Sequence, residues 1–349
     1  MPHAAPDRSK AALRPRQALR RAILPAALLA LAASLPAPAA DGVATYAAGT
    51  PIALGAASKW DFLAVQPGTG HVFAALGDHL AVVDADTGKA LGRIGGLDRA
   101  HGVAFDTAHQ LGFVSSGGSD SITTFALDTF KILHTTPAGG KSPDALLFLA
   151  QTGRLYSFNG KSHDMTVIEP TSGAVQARVA LPGKPEVAVG DADRVWVNLE
   201  DLHQLAMIDI HSNTLVRSTE LPGCVEPTGL AYDAQHQRLF SACSNGRLVV
   251  TAADDGRMVA SLAIGEEPDG VEFDATRATI IAPSGSRGSV SIIHQDDADH
   301  YHVVQTVVTA PKARTLALDA RNGKAYLTAP ASTGFELRVV APLPAGAVR

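Results

Sequence analysis

A short sequence pattern recurs seven times along this chain of 349 residues. Each copy starts on a polar residue, continues into an apolar run and in most cases ends on Asp. Successive copies start 40 to 45 positions apart, which is the length of four short strands with their turns. Such a period predicts one ring of repeated sheets instead of two or three separate domains. The first residues of the copies are Asp61, His101, Asp144, Glu186, Thr228, Asp269 and Arg314.

The fifth copy shows the repeating unit most plainly. Apolar segments at 229–233, 238–242, 247–251 and 258–262 are separated by turn-forming residues. A four-stranded antiparallel sheet cannot bury both faces alone, so the repeated sheets are expected to pack radially around a channel. The sequence therefore predicts an all-β fold, a seven-bladed β-propeller of four-stranded antiparallel blades that start near residues 59, 99, 142, 184, 226, 267 and 312.

The two ends of the repeat region are predicted to meet. The last copy shows no clear fourth strand after residues 336–340, whereas the segment 51–55 has the form of a fourth strand such as 260–265. We expect this N-terminal strand to complete the last blade and close the ring, which leaves no long unpaired edge. Residues 41–349 would then form a single domain.

Residues 1–40 have the pattern of a secretory signal peptide. The arginines at 14, 16, 20 and 21 precede the apolar run 22–33, and the small residues 37–40 follow it. The run is too short for a good membrane span, so the mature chain is expected to be periplasmic or secreted and to have no membrane span. The pair Arg20-Arg21 leaves the twin-arginine route open beside the general secretory route.

The charge balance argues against nucleic acid as a partner. The predicted leader holds six of the 29 Lys and Arg residues and one of the 34 Asp and Glu residues, so its removal changes the net charge from -5 to -10. Binding to a phosphate backbone requires a basic face, and the sequence has no run of Lys and Arg.

Two short motifs recur among the predicted strands. Related tetrapeptides stand in second strands at 155–159, 195–198 and 325–328. The triplet Pro268-Asp269-Gly270 starts a first strand, with partial copies at 143–144 and 227–229. Both motifs resemble, in altered form, those of the bacterial YncE-like, or YVTN-repeat, propellers. The resemblance covers essentially the whole mature chain. It implies an exported propeller whose biochemical role is not defined.

The first residues of the seven copies, here called the mouth residues, are the main candidates for a site. Loops that enter the inner strands of a propeller surround one end of the channel, where ligands commonly bind. Four carboxylates, one His, one Thr and one Arg would meet there. They would bind a small ligand or a partner protein, or they would simply line a wet channel, paired with nearby Lys and Arg. A divalent cation is a further option, with ligands from Asp144, Asp269, Glu186 and His101.

Other histidines lie in two further groups. His79, His163 and His203 are in loops between second and third strands, which emerge on the same face as the mouth residues. The run 294–302 lies on the opposite face, and His300 and His302 have a strand spacing that suits chelation. An acidic, solvent-exposed hairpin is the alternative interpretation of that run.

The only cysteines, Cys224 and Cys243, are expected to approach the same face of the fifth blade. Export would permit their oxidation to a disulfide, and two unpaired buried thiols are the alternative.

Standard catalytic signatures are missing from the sequence, among them Gly-x-Ser-x-Gly, His-Glu-x-x-His and the phosphate-binding glycine loop. The first hypothesis is therefore a non-enzymatic, monomeric binding protein, with no catalytic residue assigned. The alternative is a metal-dependent hydrolase or lactonase whose scattered ligands motif searches miss. It would use Asp61, Asp144, Glu186 and Asp269, with His101 assisting. A structural envelope component is a third option.

Overall fold

The computed structural model describes residues 43–344. They form 28 β-strands and a short 3-10 helix, Glu200–Leu202. Within this range no helix has the length and apolar character needed to cross a membrane. The predicted signal peptide, residues 1–40, lies outside the described residues.

The first nine strands contribute to two sheets. β1 (Tyr46–Ala48) and β2 (Ile52–Gly55) belong to the last sheet of the fold. The next seven strands form one antiparallel sheet in chain order: β3 (Leu63–Val65), β4 (His71–Ala75), β5 (Gly77–Asp84), β6 (Lys89–Asp106), β7 (Leu111–Ser116), β8 (Ser121–Ala126) and β9 (Ile132–Pro137).

Four separate four-stranded antiparallel sheets follow, each paired in chain order. The first contains β10 (Pro143–Leu149), β11 (Arg154–Asn159), β12 (Asp164–Ile168) and β13 (Val175–Ala180). The second contains β14 (Pro185–Gly190), β15 (Arg194–Leu199), β16 (Gln204–Asp209) and β17 (Thr214–Glu220). The third contains β18 (Pro227–Asp233), β19 (Arg238–Cys243), β20 (Arg247–Ala252) and β21 (Met258–Ala263). The fourth contains β22 (Glu272–Asp274), β23 (Thr279–Ser284), β24 (Ser289–Gln295) and β25 (Tyr301–Val308).

The last sheet joins distant parts of the chain. β26 (Leu316–Asp319), β27 (Lys324–Ala331) and β28 (Gly334–Pro342) pair in order. Both β1 and β2 then pair with β28 in antiparallel fashion. The N-terminal strand expected at this edge is present as β2. The sequence did not indicate β1, which pairs with a different part of β28.

The sheets form a β-propeller with four-stranded antiparallel blades. The inner strands β3, β6, β10, β14, β18, β22 and β26 pack against one another in this order, and β26 packs against β3. The expectation of seven separate blades is corrected by the hydrogen bonding. Five sheets each have four or five strands, whereas the sixth is a continuous sheet of seven strands, β3 to β9. The cause is the long strand β6: Lys89–Gly95 pairs with β5, whereas Ala100–Asp106 pairs mainly with β7. Extended backbone thus crosses a boundary at which we expected a loop.

The hydrophobic core lies between adjacent repeats, where aromatic side chains meet in a repeated register. An aromatic residue on a second strand packs against an aromatic residue on the next inner strand, and such contacts stabilise by about 0.5 to 1.5 kcal/mol beyond burial. The ring centroids are 5.1 Å apart for Phe73 and Phe105, 5.0 Å for Trp196 and Tyr232, and 5.3 Å for Phe240 and Phe273.

The Asp that ends most copies of the sequence pattern has a structural role. Asp233, Asp274 and Asp319 are at most 3% exposed, and each accepts a hydrogen bond from a backbone N–H two residues later, at 3.0 Å. These carboxylates hold the turn between inner and second strand. This part of the repeated pattern therefore belongs to the fold and not to a ligand site.

Candidate functional site

Five of the seven mouth residues line one cavity of about 180 Å³. Glu200 and Lys184 complete its charged wall, together with Phe62. Asp269 and Phe62 also line the central channel, so the cavity opens onto that channel. The mouth residues found there are Asp61, Asp144, Glu186, Asp269 and Arg314.

Sharp backbone turns precede most of the mouth residues. The residue two positions before a mouth residue has left-handed φ angles of 46° to 68° in five of the seven repeats. This conformation costs a non-glycine residue on the order of 1 kcal/mol or more, so the surrounding structure must impose it. The residues are Arg99, Ser142, Glu226, Glu267 and Lys312.

Close packing of the inner strands fixes the backbone of the mouth. A Cβ atom on Gly102 would lie 2.6 Å from the carbonyl oxygen of Asp144, and one on Gly229 would lie 2.4 Å from the carbonyl carbon of Gly270. Only glycine permits these approaches. In addition, the hydroxyl of Ser115 donates a hydrogen bond to the Asp144 carbonyl at 2.6 Å.

The first charged group of the mouth joins three successive repeats. Nδ1 of His101 hydrogen-bonds Oδ2 of Asp61 and lies 3.5 Å from Oδ1 of Asp144. The three side chains are 13%, 23% and 19% exposed, respectively. Burial alone would lower the pKa of His101, but the hydrogen bond and charge of Asp61 and the charge of Asp144 raise it. Burial raises the pKa of the Asp144 carboxyl, which His101 partly offsets. The group therefore holds a proton between two carboxylates.

The second charged group is centred on Lys184. Its Nζ lies 2.6 Å from Oε1 of Glu186 and also contacts Oε2 of Glu200. Glu186 is 7% exposed, and burial together with the charge of Asp144 raises its pKa well above the usual range. Burial would lower the pKa of Lys184, but the two glutamates raise it. Lys184 thus compensates a carboxylate that is costly to keep charged.

The third charged group links Asp269 and Arg314. Nε of Arg314 lies 3.2 Å from Oδ2 of Asp269, and the Asp269 backbone N–H donates to the Arg314 carbonyl at 2.9 Å. Burial raises the pKa of Asp269 to about 7, although Arg314 acts in the opposite direction. This carboxyl is consequently near its titration point at neutral pH.

Thr228 is not part of the cavity wall. Its hydroxyl donates a hydrogen bond to the carbonyl of Pro268 at 2.8 Å and thereby ties β18 to the segment that precedes β22. An alignment of the repeats does not reveal this contact between neighbouring repeats.

The loop histidines do not join the mouth group. Nδ1 of His79 bonds Asp78 at 2.6 Å, and Nδ1 of His203 accepts the backbone N–H of Glu226 at 3.0 Å. Among residues 43–344, one set of three potential metal ligands has its ligand atoms within 4.8 Å of one another, and it consists of Asp61, His101 and Asp144.

The histidines of the 294–302 run have separate partners. His300 bonds Asp297 at 2.9 Å, whereas His302 bonds Asp296 at 2.8 Å. His302 faces His294 on the neighbouring strand, with ring centroids 5.7 Å apart. The structure does not pair His300 with His302 as their spacing suggested.

Cys224 and Cys243 form a disulfide with a Cα–Cα distance of 5.4 Å. The bond connects the loop before β18 to the end of β19 and holds the approach to Thr228 in place.

Two acidic residues that line this region were missed at the sequence level. Glu200 lies in the 3-10 helix between β15 and β16, a loop on the same face as the mouth residues. Glu272 lies within an inner strand and lines the channel below the mouth. A charged residue at an inner-strand position that is apolar in the other repeats is a signal that the sequence does contain.

Comparison with known proteins shows the fold and nothing narrower. No family model and no curated protein matches the sequence. A chain from the crystal structure of a mitotic checkpoint complex superposes with a TM-score of 0.72 at 14% identity, covering 93% of this chain and 99% of that one. The U3-55K protein gives 0.71 at 11% identity, covering 85% and 98%. Hydrazine synthase of Kuenenia stuttgartiensis gives 0.68 at 14% identity, covering 79% and 94%. At such identities these similarities support the β-propeller fold alone.

Proposed function

We propose that this protein is a non-enzymatic binding protein whose channel mouth takes a small ligand that carries a positive charge. The observation that carries the proposal is the composition of the mouth cavity, in which five carboxylates face two basic side chains. Three of these carboxyls, on Asp144, Glu186 and Asp269, have raised pKa values because the site is buried. A bound cation would stabilise their charged forms.

The proposal includes export and seven repeating units. Export rests on the leader-like pattern of residues 1–40, and a YncE-like relationship rests on the strand motifs. Seven units are supported by the seven inner strands that follow one another around the channel, and by the two separate pairing segments of β6. A ring of this size leaves the mouth wide enough for side chains from several repeats to surround one ligand.

A ligand screen by thermal shift tests the proposal. Small amines, basic amino acids, sugars and divalent chlorides would be compared on the unmodified protein and on the double variant Asp144→Asn/Asp269→Asn. Asp193→Asn/Asp297→Asn is the matched control, because these exposed carboxylates lie in turns at the opposite end of the blades. We expect a cationic ligand to raise Tm of the unmodified protein and the control, and not of the mouth variant. Equal shifts in all three proteins would contradict the proposal.

The arrangement of Asp61, His101 and Asp144 favours a second candidate, a metal-dependent hydrolase or lactonase. One imidazole nitrogen and two carboxylate oxygens within 4.8 Å suit a divalent cation such as Zn²⁺ or Mn²⁺. The cation would replace the proton that His101 holds, so binding would release a proton and strengthen as the pH rises.

Calorimetric titration with ZnCl₂ at pH 6 and pH 8 separates the two candidates, combined with turnover of ester and lactone substrates. The hydrolase requires tight binding at pH 8 and metal-dependent turnover, both lost in His101→Asn. Absence of turnover in the metal-loaded protein would eliminate this candidate and leave the binding function.

A further inference from the structure

The central channel below the mouth is a second cavity, of about 520 Å³, which is lined mainly by apolar residues and exposes both polar and apolar atoms on its wall. Inner strands from around the ring form this wall. Among the described residues that line it, Asp269 at the mouth end and Glu272 are the charged ones. The apolar contributors include Val65, Val103, Leu147, Val189 and Leu318.

Glu272 stands at a position that is apolar in every other repeat. It is the third residue after the mouth residue Asp269, and the corresponding residues in the other inner strands are Ala64, Ala104, Leu147, Val189, Ala231 and Ala317. The carboxylate is therefore not a general requirement of the propeller wall. The other repeats build the same strand without it.

The surroundings of Glu272 differ from those of the mouth carboxylates. The backbone N–H of Leu318, on the neighbouring inner strand, acts to lower the pKa of its carboxyl. Burial raises the pKa of Glu272 to about 7, and no basic side chain acts against this rise as Lys184 and Arg314 do at the mouth. Water in the channel can nevertheless reach the side chain, which is partly exposed. A lone carboxylate among apolar groups is costly unless a cation joins it.

We propose that the channel binds a linear aliphatic primary amine, with its ammonium group paired to Glu272 and its alkyl chain along the apolar wall. An ammonium group donates up to three hydrogen bonds, and it supplies the positively charged partner that the Glu272 carboxylate lacks. A divalent metal ion is a poorer match because this part of the wall offers one carboxylate, whereas such ions take several oxygen ligands. An anionic chain would be repelled, and a neutral chain would leave the carboxylate unpaired.

This site is separate from the mouth, so the two proposals can fail independently. Glu272 does not line the mouth cavity. It is three residues beyond Asp269, which is at most roughly 10 Å at about 3.3 Å per residue. An amine bound at Glu272 alone does not need the mouth carboxylates. An amine bound only at the mouth would be insensitive to Glu272.

Isothermal titration of the purified protein at pH 8 with butylamine, hexylamine and octylamine tests the inference. We expect affinity to rise about fourfold for each added methylene until the cavity is filled. Hexanol and hexanoate, which have the same chain length without the positive charge, are expected to bind at least tenfold more weakly than hexylamine.

Glu272→Gln is the decisive variant, because the amide keeps the shape of the side chain and an acceptor oxygen but removes the charge. We expect it to weaken hexylamine binding at least tenfold, with folding checked by circular dichroism. Asp144→Asn/Glu186→Gln is the mouth control and is expected to bind hexylamine as the unmodified protein does.

Three results would overturn the inference. They are no hexylamine binding at millimolar concentration, equal binding by Glu272→Gln, and equal binding of hexanol. Loss of hexylamine binding in the mouth control alone would place the amine at the mouth, which would overturn this inference and support the function proposed above.

Discussion

The side-chain amide of Gln305 forms both backbone hydrogen bonds of Tyr46, a residue 259 positions away in sequence. Nε2 donates to the Tyr46 carbonyl and Oε1 accepts the Tyr46 N–H, each at 2.8 Å. Gln305 lies on β25, whereas Tyr46 lies on β1 in the last sheet. The side chain of Gln305 thus attaches β1, which belongs to the last sheet, to the neighbouring sheet that contains β25.

Replacing Gln305 should weaken this attachment. Gln305→Ala leaves a backbone donor and a backbone acceptor without their partners, which costs about 1 to 3 kcal/mol of unfolding free energy. Urea denaturation followed by circular dichroism measures the loss. Gln176→Ala, in an exposed position on the fourth strand β13, is the control and should change stability by less than about 0.5 kcal/mol. Equal stabilities of the two variants would show that the Gln305 side chain does not stabilise the attachment of β1.

The disulfide between Cys224 and Cys243 should stabilise the fifth repeat. It closes a loop of 19 residues, for which the loss of chain entropy in the unfolded state gives about 3 kcal/mol. The double variant Cys224→Ser/Cys243→Ser is expected to unfold at lower urea concentration by a corresponding amount. Unmodified protein unfolded with excess reductant should match the variant. An unchanged midpoint under reduction would mean that the bond adds nothing.

Stability is expected to fall as the pH rises from 5 to 8. A carboxyl with a higher pKa in the folded protein than in the unfolded chain binds its proton more tightly when folded, so its favourable contribution is lost above the unfolded pKa and up to the folded one. Asp269 and Glu272, with pKa values raised to about 7 from 3.8 and 4.5, both act in this window. His101, whose pKa is raised from 6.5, loses its contribution as the pH rises above that value.

The double variant Asp269→Asn/Glu272→Gln should reduce this pH dependence. We expect the change in unfolding free energy between pH 5 and pH 8 to shrink by on the order of 1 to 3 kcal/mol, as measured by urea denaturation at each pH. Asp297→Asn is the control, since the pKa of this exposed carboxyl is lowered and it titrates below the window. A profile that stays equally steep in the double variant would contradict the assignment.

Lys184→Met should be more damaging than loss of an exposed lysine. Without Lys184, the buried carboxylate of Glu186 has no cation beside it, and we expect a cost of about 1 to 3 kcal/mol at pH 8. The cost should be smaller at pH 5, where Glu186 can be protonated. Lys141→Met breaks a pair with Asp120 in which the lysine is 70% exposed, and it should cost less than about 1 kcal/mol. Similar losses for both variants would rule out the special role of Lys184.

The sequence period located the inner strands because their register depends on local chemistry. A terminal Asp such as Asp274 holds the turn, and a glycine such as Gly102 permits close approach, so both repeat visibly. The direction of a single side chain depends on its neighbours in space, which is why Thr228 was expected at the mouth and instead bonds Pro268. Glu200 was missed because loops between second and third strands vary in length and sequence. The three-residue strand β1 is too short to show any alternation.

The unbroken strand β6 makes the first two repeats different from the others. Where a loop joins two blades, one blade can lose its hydrogen bonds without disturbing the next. In β6 the two pairing segments share one continuous backbone, so their amide protons are expected to exchange with solvent together, as a single cooperative unit. The short strands β1 and β2 have no such support. On heating, the ring should therefore open first where β1 and β2 pair with β28, and the first two repeats should lose their hydrogen bonds last.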